Sequence, residues 1–168
     1  HPIPRRQRQM CIRDRWAAEL MNRVIDGFQD RTRIGIHICR GNWSKREDVL
    51  ITGDYQPLVN CLKQMHVHQC VLEYATPRAG DLSVVGHTLS DREIGLGCVN
   101  PRTDFAEPPE AIVTRVEEAT QFWNPSQIFL NPDCGFGCFA NRCVNEEKIA
   151  VAKLRSIVTA ARRLRSAH

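Results

Sequence analysis

The stretch that decides the fold is Arg33-Ile34-Gly35-Ile36-His37-Ile38-Cys39, which is followed by Arg40-Gly41-Asn42. Its apolar run has the length of a short buried strand, and it closes on an imidazole and a thiol two residues apart. Side chains at positions i and i+2 of a strand point to the same face, so His37 and Cys39 can reach one metal ion. Zinc accepts imidazole nitrogen and thiolate sulfur together, which makes this pair a candidate half of a zinc site.

Outward from this strand, the apolar periodicity alternates between strand and helix. The predicted strands cover residues 33–39, 68–75, 93–100 and 127–130. The predicted helices cover residues 16–28, 55–65, 81–87, 107–122 and 146–165. Alternation at this spacing indicates βαβ units and a parallel sheet.

Two arrangements of such a sheet compete, an open doubly wound sheet and a (β/α)8 barrel. No glycine-rich phosphate turn follows a predicted strand, which weakens the dinucleotide-binding alternative. Four strands cannot close a barrel of about 250 residues. We therefore interpret the α/β chain as the carboxyl-terminal half of a (β/α)8 TIM-type barrel, with residues 16–168 as a partial catalytic region.

Charge and composition narrow the possible partners and the compartment. The chain has a formal net charge of +4, and all of this excess lies in residues 1–15, which contain five arginines and one aspartate. We interpret residues 1–15 as a non-native or disordered basic segment, because residues 9–14 are similar to translated sequencing-adapter read-through. No nucleic-acid partner is expected, and no apolar run reaches the roughly 18 residues of a membrane span. The eight cysteines mostly stand singly in apolar segments, which favours buried thiols and metal ligands in a cytoplasmic protein.

Barrel geometry tests the metal site, because catalytic groups in such barrels lie at the carboxyl ends of the strands. Glu73 lies near the end of the second predicted strand, and Cys134 follows the fourth. An acid within an apolar strand is costly unless it is paired or coordinates a metal. His37, Cys39, Glu73 and Cys134 together would suffice for tetrahedral zinc.

Two other cysteine patterns remain as alternatives. His66, His68 and Cys70 repeat the His-x-Cys spacing, but they open their strand and are expected at the opposite end of the barrel. Cys134, Cys138 and Cys143 form a loose cluster that suits a small structural zinc or iron–sulfur site. Cys61, Cys70 and Cys98 are most simply small core residues.

Four sequence blocks carry a resemblance to a known family. They are His37-Ile-Cys-Arg-Gly-Asn42, Leu72-Glu-Tyr-Ala-Thr-Pro-Arg-Ala-Gly80, Ile94-Gly-Leu-Gly-Cys-Val-Asn-Pro-Arg-Thr-Asp104 and Asn131-Pro-Asp-Cys-Gly135. In order and in content, they resemble the carboxyl-terminal catalytic region of cobalamin-independent methionine synthases, especially the short single-barrel members. The resemblance implies a zinc-dependent methyltransferase that makes methionine from homocysteine. It implies a methyl-folate or a methyl-corrinoid protein as the methyl donor.

The resemblance implies the metal ligands, and the positions of other residues after the strands suggest further roles. The family's zinc ligands match His37, Cys39, Glu73 and Cys134, the same set that the strand ends predict. We expect Glu73 to be the labile ligand that yields to substrate sulfur. Glu73 and Asp133 are the candidate catalytic residues, with a helix cap as the alternative role of Asp133. Asn42 and Asn100 are candidate substrate-binding residues, with turn stabilisation as the alternative.

Two rival functions stay open at this point. One is a related zinc-dependent alkyltransferase that activates another thiol, such as a coenzyme thiol that attacks an epoxide. The other is a non-catalytic zinc-binding fragment whose ligands only brace the fold. We further expect this half-barrel on its own to be inactive and poorly soluble, because it exposes two strand edges.

Overall fold

The computed structural model describes residues 5–137 and 139–166, which form five α-helices and four β-strands. The strands are β1 (Gly35–Ile38), β2 (Gln69–Leu72), β3 (Glu93–Val99) and β4 (Ile128–Pro132). The helices are α1 (Arg5–Ile25), α2 (Val59–Gln64), α3 (Ser83–Leu89), α4 (Pro109–Ala119) and α5 (Glu147–Ser166). Every predicted strand and helix is therefore present, and only their bounds differ.

Two differences in bounds, in β2 and α1, bear on the site and on the amino-terminal segment. Strand β2 ends three residues before its predicted end, because the next backbone N–H groups bind side chains instead of the neighbouring strand. The Glu73 N–H donates to the Tyr55 hydroxyl and the Ala75 N–H to the Asp133 carboxylate. Helix α1 begins at Arg5, so it includes most of the segment predicted to be non-native or disordered. That assignment of residues 1–15 stays a prediction.

The four strands form one parallel sheet in the order β1-β2-β3-β4. Ile36 pairs with Cys70, Cys70 with Ile94, and Ile94 with Ile128. Consecutive strands are thus neighbours in space, each joined to the next by a helical crossover, which confirms the predicted βαβ arrangement. The carboxyl ends of all four strands lie at the same end of the sheet, which we call the mouth.

The helices cover one face of the sheet. Side chains of alternate strand residues, among them Cys70, Leu72, Ile94 and Leu96, pack there against α2, α3 and α4 in the main hydrophobic core. The other face, which we call the uncovered face, carries Gly35, His37, Val71, Gly95, Phe129 and Asn131. His37 and Phe129 on that face are exposed to solvent. Parallel sheets are usually covered on both faces, so this sheet has the construction of half a barrel.

The two terminal helices expose apolar side chains that the helical spacing alone would place in a core. On α1, Trp16 and Val24 are exposed, whereas Ala17 and Ala18 pack against the core. On α5, Val151, Leu154 and Val158 are exposed, while Ile157 and Ala160 are buried. Neither of these helices, nor any other among the described residues, is long and apolar enough to cross a membrane.

Candidate metal centre

Three of the predicted ligands meet at the mouth of the sheet. One ligand atom from each of His37, Cys39 and Cys134 lies within 4.8 Å of the other two. The Cys39 and Cys134 sulfurs are 3.7 Å apart, well beyond the roughly 2.05 Å of a disulfide bond. His37 and Cys39 come from the end of β1 and Cys134 from the loop after β4, so the parallel sheet itself brings them together.

The imidazole of His37 is oriented by a neighbouring strand. Its Nδ1 atom lies 3.1 Å from the Val71 carbonyl oxygen on β2. A carbonyl oxygen only accepts, so Nδ1 donates the hydrogen bond and Nε2 keeps its lone pair. Metal-binding histidines commonly fix their ring through such a bond, which makes Nε2 the ligand atom that His37 offers.

Glu73, the fourth predicted ligand, is buried beside this trio but interacts with arginines. Its Oε1 atom accepts a hydrogen bond of 3.1 Å from the Arg40 backbone N–H. Its Oε2 atom lies 3.6 Å from Arg40 Nε and 3.7 Å from Arg78 Nη2. The carboxylate is not part of the group whose ligand atoms all lie within 4.8 Å of one another. In this conformation Glu73 is therefore an ion-pair partner next to the trio.

Tyr55 supports Glu73 and was missed by sequence reasoning, which placed it at the start of a helix. Its hydroxyl accepts a 2.7 Å hydrogen bond from the Glu73 N–H, and the Arg40 guanidinium stacks 4.6 Å from the centre of its ring. Tyr55 is fully buried, and burial raises the pKa of its hydroxyl above the ordinary value. Nothing in the spacing of the chain singles out this residue.

Asp133, a candidate catalytic residue, is a buried carboxyl group at the same mouth. Its Oδ1 atom accepts a 2.9 Å hydrogen bond from the Ala75 N–H, and its Oδ2 atom is without a hydrogen-bond partner among the described residues. Burial raises its pKa to about 7, and the charge of Glu73 adds to this effect. The Ala75 hydrogen bond and the positive charges of Arg78 and Arg40 act in the opposite direction.

Gly97 provides the space that Asp133 occupies. A Cβ atom at Gly97 would lie 2.3 Å from Asp133 Oδ1 and 2.7 Å from the Leu72 carbonyl oxygen. A glycine inside a strand often marks such a close approach. This glycine, within Ile94-Gly-Leu-Gly-Cys, was a sequence signal that pattern reading left unused.

The two predicted substrate-binding asparagines have different surroundings. Asn42 is 1% exposed; its Oδ1 atom lies 3.5 Å from Arg78 Nη2, and its Nδ2 atom has no hydrogen-bond partner within the described part of the chain. Asn100 is used in its own loop, where its Oδ1 atom accepts from the Arg102 N–H. Arg102 in turn donates to the Ser44 carbonyl and joins the loops that follow β3 and β1.

The second His-x-Cys pattern lies at the opposite end of the strands, and the loose cysteine cluster is only partly within the described residues. His68 Nδ1 accepts from the Ile34 N–H at the amino ends of β1 and β2, as the barrel geometry predicted for this second His-x-Cys. Cys61, Cys70 and Cys98 are buried core residues, which confirms their prediction. Of the loose cluster, Cys143 is exposed and Cys138 lies outside the described residues.

The donor set at the mouth fits zinc. Two thiols and one imidazole are ligands that zinc prefers, and Zn–S bonds of about 2.3 Å at a tetrahedral angle would place two sulfurs about 3.8 Å apart. The observed sulfur separation of 3.7 Å agrees with that value. Glu73 Oε2, buried and without a hydrogen bond among the described residues, is a further oxygen beside the trio.

Comparison with known proteins matches the chain to one family, and the folds of related structures agree with the fold described above. The family model described as the catalytic domain of cobalamin-independent synthase matches residues 2–163. The chain is 28% identical over 149 residues to a methionine synthase of Pyrococcus abyssi, covering 89% of this chain and 38% of that protein.

Two solved structures are similar to the chain as well. A B12-independent methionine synthase from Shewanella sp. W3-18-1, in complex with selenomethionine, superposes with a TM-score of 0.74 at 15% identity, over 94% of this chain and 45% of that one. A putative vitamin-B12 independent methionine synthase from Listeria monocytogenes superposes with a TM-score of 0.63 at 28% identity, over 88% of this chain and 39% of that one. These matches confirm the partial (β/α)8 barrel, and the chain spans about two fifths of the length of these three relatives.

Proposed function

Because the chain belongs to the cobalamin-independent methionine synthase family, we propose that it forms the zinc-binding, thiol-activating half of a methyltransferase that makes methionine from homocysteine. The observation that carries this proposal is the convergence of His37, Cys39 and Cys134 at the mouth of the sheet. In this proposal the methyl donor is a methyl-folate, and nothing in the comparisons supports a methyl-corrinoid protein. The eight cysteines suit a cytoplasmic location for such thiol chemistry.

His37, Cys39 and Cys134 would hold the metal, with Glu73 as the fourth ligand. Zinc, when bound there, would lower the pKa of a substrate thiol, so that the thiolate is present near neutral pH. The Val71 carbonyl, which lies 3.1 Å from His37 Nδ1, would orient the ring so that Nε2 is available to the metal. Glu73 would be the ligand that gives way, because Arg40 and Arg78 already offer its carboxylate a second position.

Asp133 and Asn42 would contact the substrate. Asp133 Oδ2 and Asn42 Nδ2 are buried polar atoms without a hydrogen-bond partner among the described residues. Such atoms are costly to leave unpaired, so a ligand that binds them recovers free energy. The acceptor on Asp133 and the donor on Asn42 suit the ammonium and carboxylate groups of an amino acid.

Calorimetry of homocysteine binding to the zinc-loaded chain tests the proposal. A substrate that binds as a thiolate must release its proton, so heats measured in buffers of different ionisation enthalpy should show release of about one proton per homocysteine. Methionine is the matched control, because its thioether has no proton to release. The release should disappear in Cys134→Ser.

Binding of homocysteine without proton release would contradict thiol activation. The same would hold if the release persisted in Cys134→Ser. No homocysteine binding at all, with zinc firmly held, would favour a non-catalytic zinc brace. Proton release with a different small thiol but not with homocysteine would favour the related alkyltransferase.

A further inference from the structure

Two arginines surround the Glu73 carboxylate where it lies beside the metal-ligating trio. We propose that Arg40 and Arg78 are positioning residues that compete with the metal ion for Glu73 and so set how tightly the metal is held. This inference rests on the proposed zinc site, and it adds a role for two residues outside the predicted ligand set.

The carboxylate is retained by charge more than by directed hydrogen bonds. Only Oε1 is hydrogen-bonded by Arg40, through a backbone N–H. At 3.6 Å and 3.7 Å, the guanidinium nitrogens attract Oε2 without hydrogen-bonding it. The side chains of Glu73 and Arg40 are 0% and 4% exposed, so solvent screens their attraction little. Such a carboxylate can turn toward a nearby cation without breaking hydrogen bonds to the arginine side chains.

The arginines have anchors that do not depend on Glu73. Arg40 Nη1 donates to the Gly53 carbonyl, and its guanidinium stacks on the Tyr55 ring. Arg78 Nη2 is 3.5 Å from Asn42 Oδ1. The two positive charges therefore stay in place when the carboxylate moves, and they remain available to receive it when it returns.

This competition predicts whether neutralising Arg78 raises or lowers the affinity of the site for the metal. If Arg78 is neutralised, Glu73 loses one competitor for its charge, and the metal gains a stronger oxygen ligand. The site should then bind the metal more tightly and exchange Glu73 for an incoming thiol less readily. An effect that passes through Glu73 should vanish when Glu73 is replaced, whereas direct repulsion between the Arg78 cation and the metal ion would persist.

Cobalt(II) affinity of the whole chain, measured by competition with a chelator, tests this inference. Arg78→Gln should bind Co²⁺ about tenfold more tightly than the unchanged chain, which corresponds to about 1.4 kcal/mol. Arg78→Lys, which keeps the positive charge, should stay within about threefold of the unchanged chain. The matched control is Arg23→Gln, because Arg23 makes an exposed ion pair with Glu19 on α1. It should leave the affinity unchanged.

A second comparison separates positioning from general structural effects. In a Glu73→Gln background, Arg78→Gln should no longer change Co²⁺ affinity, and the visible absorption of bound Co²⁺ should be the same with and without it. Circular dichroism melts identify any variant that fails to fold, and in that case Arg78→Lys and the Glu73→Gln pair still decide the question.

Two outcomes overturn the inference while leaving the metal site intact. One is Co²⁺ binding that depends on Cys39 and Cys134 but not on Arg78. The other is an Arg78→Gln effect of equal size in the Glu73→Gln background. If the chain binds no Co²⁺ through Cys39 and Cys134, both this inference and the proposed zinc site fail.

Discussion

Cys39 and Cys134 are 95 residues apart in the sequence, yet their sulfurs lie 3.7 Å apart at the mouth of the sheet. Replacing one of them by serine removes a thiolate that zinc prefers strongly over a hydroxyl. We expect Cys39→Ser to weaken Zn²⁺ binding by at least about 100-fold, because even residues that only orient metal ligands contribute 10- to 100-fold. Competition with a chromogenic chelator measures this change.

The exposed Cys143 supplies the control for that substitution. Cys143→Ser should leave Zn²⁺ affinity within about twofold of the unchanged chain, because this thiol lies outside the trio. Equal losses in Cys39→Ser and Cys143→Ser would show that zinc binds to exposed thiols in general and not at the proposed site.

Gly97 lies at a position where the site has no room for a side chain. Gly97→Ala would place a methyl group 2.3 Å from Asp133 Oδ1 and 2.7 Å from a backbone carbonyl. Overpacking of this kind typically costs about 1–3 kcal/mol, so we expect a fall of that size in the free energy of unfolding. Gly135→Ala is the matched control in the same region, because no described residue beyond its chain neighbours has an atom within 4 Å of its added Cβ. Equal denaturation midpoints for the two variants would contradict this account of Gly97.

Part of the site follows from the sequence at the residue scale. His37, Cys39 and Cys134 are predictable because the carboxyl ends of parallel strands lie at the same end of the sheet, whatever path the connecting segments take. The contacts of Glu73 are not predictable in this way, because Arg40 lies in a loop and Arg78 in a short 3-10 turn, whose paths no apolar periodicity describes. The role of Tyr55 is not predictable either. Its hydroxyl accepts from the Glu73 N–H, which lies just past the end of β2 and is not paired with a neighbouring strand.

At the scale of elements, a buried lysine fastens α5 to the loop that follows β3. Lys153 is fully buried, and its amine donates to the carbonyls of Asn100 and Phe105 and pairs with Glu107. Lys153→Met would leave these acceptors without their donor, and breaking a buried pair costs about 3–5 kcal/mol. We therefore expect a loss of about 3 kcal/mol in the free energy of unfolding, measured with urea.

The comparison for Lys153 is a lysine on the same helix. Lys148 is exposed and pairs with Glu146, so Lys148→Met should change stability by less than about 0.5 kcal/mol. If both variants were equally stable, α5 would not depend on this amine.

The thiols on the two central strands differ from those at the surface. Burial raises the pKa of Cys70 to about 11 and that of Cys98 to about 12. The neutral thiol is thus favoured in the folded state, and both groups stay protonated well above pH 8. We expect iodoacetamide at pH 8 to label Cys143 rapidly but to label Cys70 and Cys98 only after unfolding. Peptide mapping by mass spectrometry identifies the labelled sites, and rapid labelling of Cys98 in the folded chain would contradict its burial.

Element types follow from the sequence more reliably than element faces. The strands are predictable because their apolar runs are short and bounded by polar turns. The apolar residues of α1 and α5 follow helical spacing, yet Trp16, Val24 and Val158 are exposed. Spacing predicts which residues share a face, but whether a neighbouring element covers that face depends on the tertiary structure.

For the molecule as a whole, the uncovered face of the sheet is the feature with the largest effect on how the chain behaves in solution. Among the described residues, β1 and β4 each have one edge without a partner strand, and the exposed Phe129 lies on the uncovered face. Open strand edges with apolar neighbours favour association. We expect sedimentation to show concentration-dependent self-association between about 1 and 100 µM, and little methyl transfer by the chain alone. A monodisperse monomer that transfers methyl groups efficiently would contradict this expectation.

The measurement that tests the central claim most directly is zinc K-edge X-ray absorption of the chain loaded with one equivalent of Zn²⁺. The account predicts a first shell with two sulfur ligands at about 2.3 Å and one imidazole nitrogen at about 2.0–2.1 Å, completed by oxygen. In Cys134→Ser one sulfur should be lost. A shell without sulfur, a shell of four sulfurs, or a shell unchanged by Cys134→Ser would contradict the metal centre formed by His37, Cys39 and Cys134.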